Sequence, residues 1–239
     1  MADTTADFRR TPDDRVRDFH RLQMARELLK RGATMTAMTK LVPNEQADQF
    51  VYMYVDWDGY EALDRARGEH SAPRITYLDG VAELMSPSKY HERINHRIGR
   101  LVEAYCSGRG IVVEGYGSWT LKNKKLSAGA EPDGCYVFST KLPEDRPDLS
   151  IEVVWTSGGF GKLEVWRRLR VPEVWFWIDD VITIHVLGAD GYEQVERSPR
   201  LPELELSKIY ELLALESTQE AADLMRAYGA SQLATPPSS

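Results

Sequence analysis

The sequence predicts a mixed α/β fold, a sheet with helices on both faces, and three observations predict it. Its periodic segments run hairpin, helix, several strands, helix, strands, an order that suits neither a TIM barrel nor a repeated doubly wound fold. Four short strand-like runs, "IVVEGY", "SWTLK", "DGCYVF" and "LSIEVVW", follow one another in mid-chain. Finally, 239 residues at 42% hydrophobic and 28% charged suit one globular domain with extensions and a sizeable core.

Taken in order, "RVRDFHRLQMARELLKRG" carries a rough helical stripe of Val16, Phe19, Leu22, Met24 and Leu28, with Gly32 as its stop. In "MYVDWDGYEALDRARG" either Asp56 or Asp58 is the N-cap of a short helix. "RITYLDGVAELMSPS" alternates around Asp79-Gly80, the two-residue signal for a tight hairpin. From Ser88 the period lengthens: Ile94, Ile98, Leu101 and Tyr105 share a helical face, and Gly108 to Gly110 close that helix.

After the four strand runs, "GKLEVWRRLR" is helical and Pro172 stops it; "EVWFWI" and "VITIHVL" are strands joined at Asp179-Asp180. Beyond Leu206 come one or two short helices and a Thr/Pro/Ser tail of disordered composition. The chain therefore divides into an N-terminal helical extension (1–50), a central domain (51–216) and a C-terminal helix with a disordered tail (217–239).

Composition removes several classes of protein. Cys106 and Cys135 lie far apart at no metal-ligand spacing and read as reduced packing residues. The N-terminus lacks the apolar region of a secretion signal and no apolar run is long enough to cross a bilayer, so a soluble, cytoplasmic protein without membrane contact is expected. A formal charge of −7 disfavours broad nonspecific attraction to nucleic acid, while leaving room for a local basic patch. There is no Gly-rich phosphate loop, G-x-S-x-G elbow or H-E-x-x-H stretch.

The chemistry centres on a carboxylate in an apolar strand. In "DLSIEVVW", alternation puts Leu149, Ile151, Val153 and Trp155 on one face and Ser150, Glu152 and Val154 on the other. An unpaired buried carboxylate costs several kcal/mol, so Glu152 requires a partner or a use. Upstream, "EPDGCYVF" puts Glu131 and Asp133 at the entry to a neighbouring strand, with Pro132 fitting a strand's beginning. If the two strands pair, Asp133 and Glu152 converge on one cation, and two hard oxygen ligands completed by water and phosphate suit Mg²⁺. Lys162 shares the apolar stripe of its helix with Val165, Trp166 and Leu169, and so wants a carboxylate or phosphate.

Each residue also has a plainer reading: Asp133 as a strand-start residue, Lys162 lying along apolar surface, Glu152 paired with an arginine. Together they point to metal-dependent phosphoryl transfer more than any one does.

"EPDGCYVF" followed by "PDLSIEVVWTSGGFGKLEVWRRLRVPEVWFW" resembles the Uma2 family of endonucleases within the PD-(D/E)XK nuclease superfamily. The hairpin "ITYLDGVAELMSPS", the histidine in the helix after it and "YGSWTLK" fit the same family, over roughly residues 55 to 215. The resemblance implies a restriction-endonuclease-like PD-(D/E)XK core with flanking helices. By it, Asp133 matches the PD aspartate and Glu152 the second acidic metal ligand. The usual E-x-K lysine falls at Val154; in Uma2-like chains it has moved to the following helix, where Lys162 stands. His91 matches a histidine often found in the family, either at the edge of the metal site or as a helix-start residue bonded to the hairpin. Glu83 either approaches the site or faces solvent, and we expect the latter.

The function expected is a Mg²⁺- or Mn²⁺-dependent endonuclease acting on DNA, with Asp133 and Glu152 holding the metal, Lys162 positioning water or offsetting charge, and a homodimer open. Two rivals stand beside it. One is a catalytically inactive nucleic-acid-binding module of the same fold, in a defence or mobile-element system. The other is a scaffold using the N-terminal helix as a partner surface. Two basic clusters, Lys122, Lys124 and Lys125 in "LKNKKL" and Arg167, Arg168 and Arg170, either contact DNA phosphates or are solvated faces. The tryptophans at 119, 155, 166, 175 and 177 fall in core-like patterns.

Overall fold

A computed structural model of the chain describes residues 38–40, 47–117, 119–141, 145–154 and 161–234. The expected N-terminal helix over 16–28, the turn at 156–159, Trp155 and the tail beyond 234 lie outside the described residues. Within the expected helical extension, the described segment 38–40 is a strand.

The strands, in chain order, are β1 (Met38–Lys40), β2 (Gln49–Tyr54), β3 (Arg74–Leu78), β4 (Val81–Ser86), β5 (Glu114–Tyr116), β6 (Leu121–Asn123), β7 (Ala128–Ala130), β8 (Gly134–Val137), β9 (Leu149–Val154), β10 (Glu173–Ile178), β11 (Val181–Leu187) and β12 (Tyr192–Val195). The α-helices are α1 (Trp57–Arg67), α2 (Lys89–Arg109), α3 (Lys162–Leu169), α4 (Leu206–Leu213) and α5 (Thr218–Ser231). Two six-stranded sheets result, ordered β1-β2-β4-β3-β7-β6 and β12-β11-β10-β9-β8-β5. The fold is mixed α/β as expected, with two sheets where the sequence suggested one. Strands β1, β2, β7 and β12 were not anticipated: β1 and the start of β2 fall in the stretch read as a helical extension, "AGA" is too short and small to show alternation, and "YEQV" leaves its polar residues exposed.

Local chemistry explains the borders. Asp56 caps α1 by accepting from Gly59 N at 2.8 Å, and Asp79, at φ 47°, and Gly80, at φ 89°, make the tight β3–β4 turn. Ser88 caps α2, its Oγ accepting from His91 N at 3.2 Å. Gly110 ends that helix in the left-handed conformation. Gly108, expected to share in that stop, lies inside the helix, where a Cβ would stand 2.1 Å from Arg226 O of α5; its job is close helix packing.

In the second sheet β9 and β10 are parallel, with Trp175 opposite Ile151 and Phe176 opposite Glu152, and α3 lies between them in sequence. A central parallel pair is covered on both faces, which is why these strands read as nearly continuous apolar runs. On one face Leu149, Ile151, Val153, Trp175 and Trp177 pack with α2, α4 and α5. On the other, Val174 and Phe176 pack with Val165, Trp166 and Leu169 of α3 and with Leu121, Ala128 and Ala130 of the first sheet. Glu152 alternates onto that second face. It points into the space between the sheets.

Candidate functional site

Register builds the site. β8 and β9 are antiparallel with Gly134 opposite Ile151, so the next step sets Asp133 beside Glu152. Both are fully buried. Asp133 Oδ2 accepts from Val153 N at 2.7 Å, and its backbone carbonyl accepts from Asn95 Nδ2 of α2 at 2.7 Å. Pro132 separates two fates: Glu131 is bound away from the site by Arg67 of α1, 2.6 Å from its Oε2.

Lys162 reaches the site because α3 starts there. Gly161, left-handed at φ 46°, caps the helix, and a Cβ on it would lie 2.7 Å from Leu78 Cδ2. That absent methyl lets the first turn of α3 press against β3. Lys162 Nζ donates to Glu152 Oε2. Burial opposes the charged form of the lysine, but Glu152, Asp133 and Glu83 surround it and hold its proton more tightly than usual. Burial raises the Glu152 carboxyl above its ordinary value; contact with Lys162 opposes that rise and the neighbouring Asp133 charge adds to it.

His91 sits in the first turn of α2 with both ring nitrogens engaged. Nδ1 is 2.9 Å from Asp48 Oδ2 and Nε2 is 3.1 Å from Asp133 Oδ2. Burial lowers its pKa, yet the two carboxylates reverse the sign and bring it up to about 9. An imidazolium donating to two aspartates follows: His91 is a helix-start residue in contact with Asp133, and its carboxylate partners, Asp48 and Asp133, lie outside the hairpin. Asp48 anchors that helix start too, accepting from Ser88 N at 2.7 Å.

Two residues escaped the sequence reading, Arg74 and Asp48, and a third, Glu83, was placed wrongly by it. Arg74 of β3 donates from Nη1 to Asp133 Oδ1 at 2.6 Å and from Nη2 to Glu92 Oε1 at 3.0 Å. Its Nη1 is also 3.1 Å from His91 Nε2; with both groups cationic, they share Asp133 instead of bonding each other. Burial raises Asp133, but His91, Lys162 and Arg74 hold its carboxyl well below the ordinary range. Asp48 is the second, described above.

Glu83 is the third, and it corrects an expectation. It does not face solvent: it is 1% exposed, pairs across β2–β4 with Tyr52, and feels Lys162 and Asp133 directly. Burial pushes its carboxyl upward, against the opposing influence of Lys162 and a hydrogen bond from the Tyr52 side chain. The signal was available in "VAELM", a lone carboxylate inside an apolar strand, the same pattern that marks Glu152 in "SIEVV".

The carboxylates at the site are chemically of the kind a divalent cation takes, although both oxygens of Asp133 already accept from protein groups. Asp133 and Glu152 are hard oxygen ligands, and Glu152 Oε1 is buried with no hydrogen-bond partner, as is Glu83 Oε2. Among the described residues no group of three or more His, Cys, Asp and Glu stands ready to hold a metal. Trp166, Trp175 and Trp177 are core residues, as expected. No helix among the described residues is long and apolar enough to cross a membrane.

The mixed α/β core, with two sheets and five α-helices among the described residues, is of the restriction-endonuclease-like class. The Uma2 family model, described as "Putative restriction endonuclease", matches residues 57–218, and the chain belongs to that family. No curated protein matches it.

Proposed function

We propose that this chain is a metal-dependent endonuclease that hydrolyses DNA phosphodiester bonds. The observation carrying the reading is the convergence of Asp133, Glu152 and Lys162 in one buried site between the sheets. Asp133 and Glu152 would hold Mg²⁺ or Mn²⁺, which supplies a water of lowered pKa and neutralises charge building on the phosphate.

The protein's own groups divide the remaining work. Lys162 keeps its proton, so it serves as a fixed positive charge for a developing phosphorane oxygen and not as a base. Glu152 Oε2 orients that ammonium. His91 and Arg74 fix the Asp133 carboxylate from two directions, and Val153 N fixes it from a third. Cover from α3 and the two sheets keeps the dielectric low, which strengthens each of these charges.

Purified protein is expected to nick or cut DNA with Mg²⁺ or Mn²⁺, and Asp133→Ala to abolish cutting. Equal cutting by that variant removes the assignment.

One observation favours the inactive-module reading: Asp133 already accepts from Arg74, His91 and Val153 N. Calorimetric titration separates the two. DNA binding with no Mn²⁺ uptake that depends on Asp133 and Glu152 selects the module.

A further inference from the structure

One lysine of the first basic cluster, Lys125, meets the second cluster in space, while Lys122 and Lys124 pair with Asp64 and Asp58 of α1. A cleft of about 690 Å³ opens beside the C-terminal end of α3 and is lined by Lys125, Arg167, Arg168, Arg170, Asp79 and the β11–β12 turn. We infer that this cleft is a binding site for the phosphodiester backbone of a nucleic-acid strand, a reading that rests on the nuclease function proposed above.

Two of the cleft's cations support it. Arg168 is occupied, bonded to both Asp79 oxygens, to Glu164 and to Leu126 O, and Arg167 is bonded to Glu164. Lys125 and Arg170 are exposed and pair with no carboxylate among the described residues. Against these four cations stand Asp79 and Glu164 and, in and beside the β11–β12 turn, Asp190 and Glu193, so Lys125 and Arg170 are the two side chains free to turn toward a ligand. This cluster of cations stands on a chain with 37 acidic and 30 basic residues.

Backbone geometry adds a second argument. Arg170 caps α3 in the left-handed conformation at φ 60°, where glycine or asparagine is the unstrained choice. An arginine there carries the strain of a Cβ in the left-handed region. Some of that cost is returned by a cation near the helix C-terminus, but Arg167 and Arg168 already occupy the last turn.

Position links the cleft to the candidate site. Helix α3 carries Lys162 in its first turn and Arg170 just past its last. At ~1.5 Å per residue the separation is about 12 Å, or some three nucleotides at ~3.4 Å per step along a strand. A strand whose scissile phosphate lies near Lys162 would have the cleft within about three nucleotides' reach.

The test is fluorescence anisotropy of a short labelled DNA duplex in EDTA, across a salt series, with the full chain and with Lys125→Gln/Arg170→Asn, asparagine being chosen to keep the left-handed cap. We expect the double variant to bind about tenfold or more weakly, and the slope of log affinity against log salt to fall by about 2. Unchanged affinity and slope, or no binding by the full chain, overturns the inference. Inorganic phosphate at matched ionic strength should leave DNA affinity unchanged; complete displacement makes the cleft a free-phosphate site and overturns it too. Metal-dependent cutting by Asp133→Ala is scored separately. If that variant still cuts while the cleft variant loses affinity, the site assignment falls and the cleft stands; the opposite pattern removes only the cleft.

Discussion

Asp133 Oδ2 accepts a hydrogen bond from the backbone N–H of Val153 at 2.7 Å. The aspartate at the entry to β8 is thereby tied to the residue following Glu152, and the spacing of the two carboxylates is set by main chain instead of by flexible side chains. Arg74 and His91 bear on the same carboxylate, with Asp133 and His91 fully buried and the Arg74 side chain 11% exposed.

Asp133→Ala therefore leaves two buried cations facing one another. We expect it to lower unfolding stability by about 3–5 kcal/mol in urea titrations. Asp133→Asn, which retains an oxygen for Val153 N, should lose less stability while losing DNA cutting as completely. Full cutting by the asparagine variant would remove Asp133 from the metal site.

Lys162→Met strands Glu152 and Glu83 without their shared cation, and a comparable loss of about 3–5 kcal/mol is expected. Adding Glu152→Gln should recover part of it. A double-mutant cycle is expected to return a coupling of about 1–3 kcal/mol; additive single effects would mean the pair does not interact in solution.

The pH response of His185 has a definite sign. Burial lowers its pKa below the ordinary 6.5, so the unfolded chain takes up the proton first on acidification. Its contribution is complete above about pH 6.5 and is lost as pH falls through the folded value. Comparing urea midpoints at about pH 7 and pH 5, His185→Gln should show a smaller acid loss than the parent chain.

Close packing of α2 on α5 depends on two missing methyls. A Cβ at Gly108 would meet Arg226 O at 2.1 Å and one at Gly229 would meet Tyr105 O at 2.7 Å, both main-chain atoms. Gly108→Ala and Gly229→Ala should each cost at least about 1–3 kcal/mol. Gly117→Ala, with nothing within 4 Å of the added carbon, is the control and should stay within ~0.5 kcal/mol.

Cys106 and Cys135 are buried, and burial pushes each thiol up to about 12. Ellman's reagent is expected to leave the native chain unlabelled and to count two thiols after unfolding. Rapid labelling of the native chain would show that α2 or β8 opens.

Much of the site was legible because burial and charge conflict visibly in a one-dimensional pattern. Glu152 inside "SIEVV" and Lys162 on the stripe of "GKLEVW" each break an apolar period, and each break marks a group that needs a partner. Glu83 breaks "VAELM" in the same way, and it too is buried, at 1% exposed. Arg74 breaks nothing: it opens a strand directly after Pro73, where a charged residue is ordinary.

The β3–β4 turn, the start of α1 at Asp56 or Asp58, the change of period at Ser88 and the apolar faces of β9 and β10 follow from local interactions, and the sequence by itself determined them. Which strands pair, that α3 lies between two sheets, and that Asp48, Arg74 and Glu83 join Asp133 and Glu152 were decided only in tertiary structure. Those contacts join residues up to 85 positions apart, from Asp48 to Asp133 through His91. Their energy comes from burying several charges together in one low-dielectric space, and no local period encodes that.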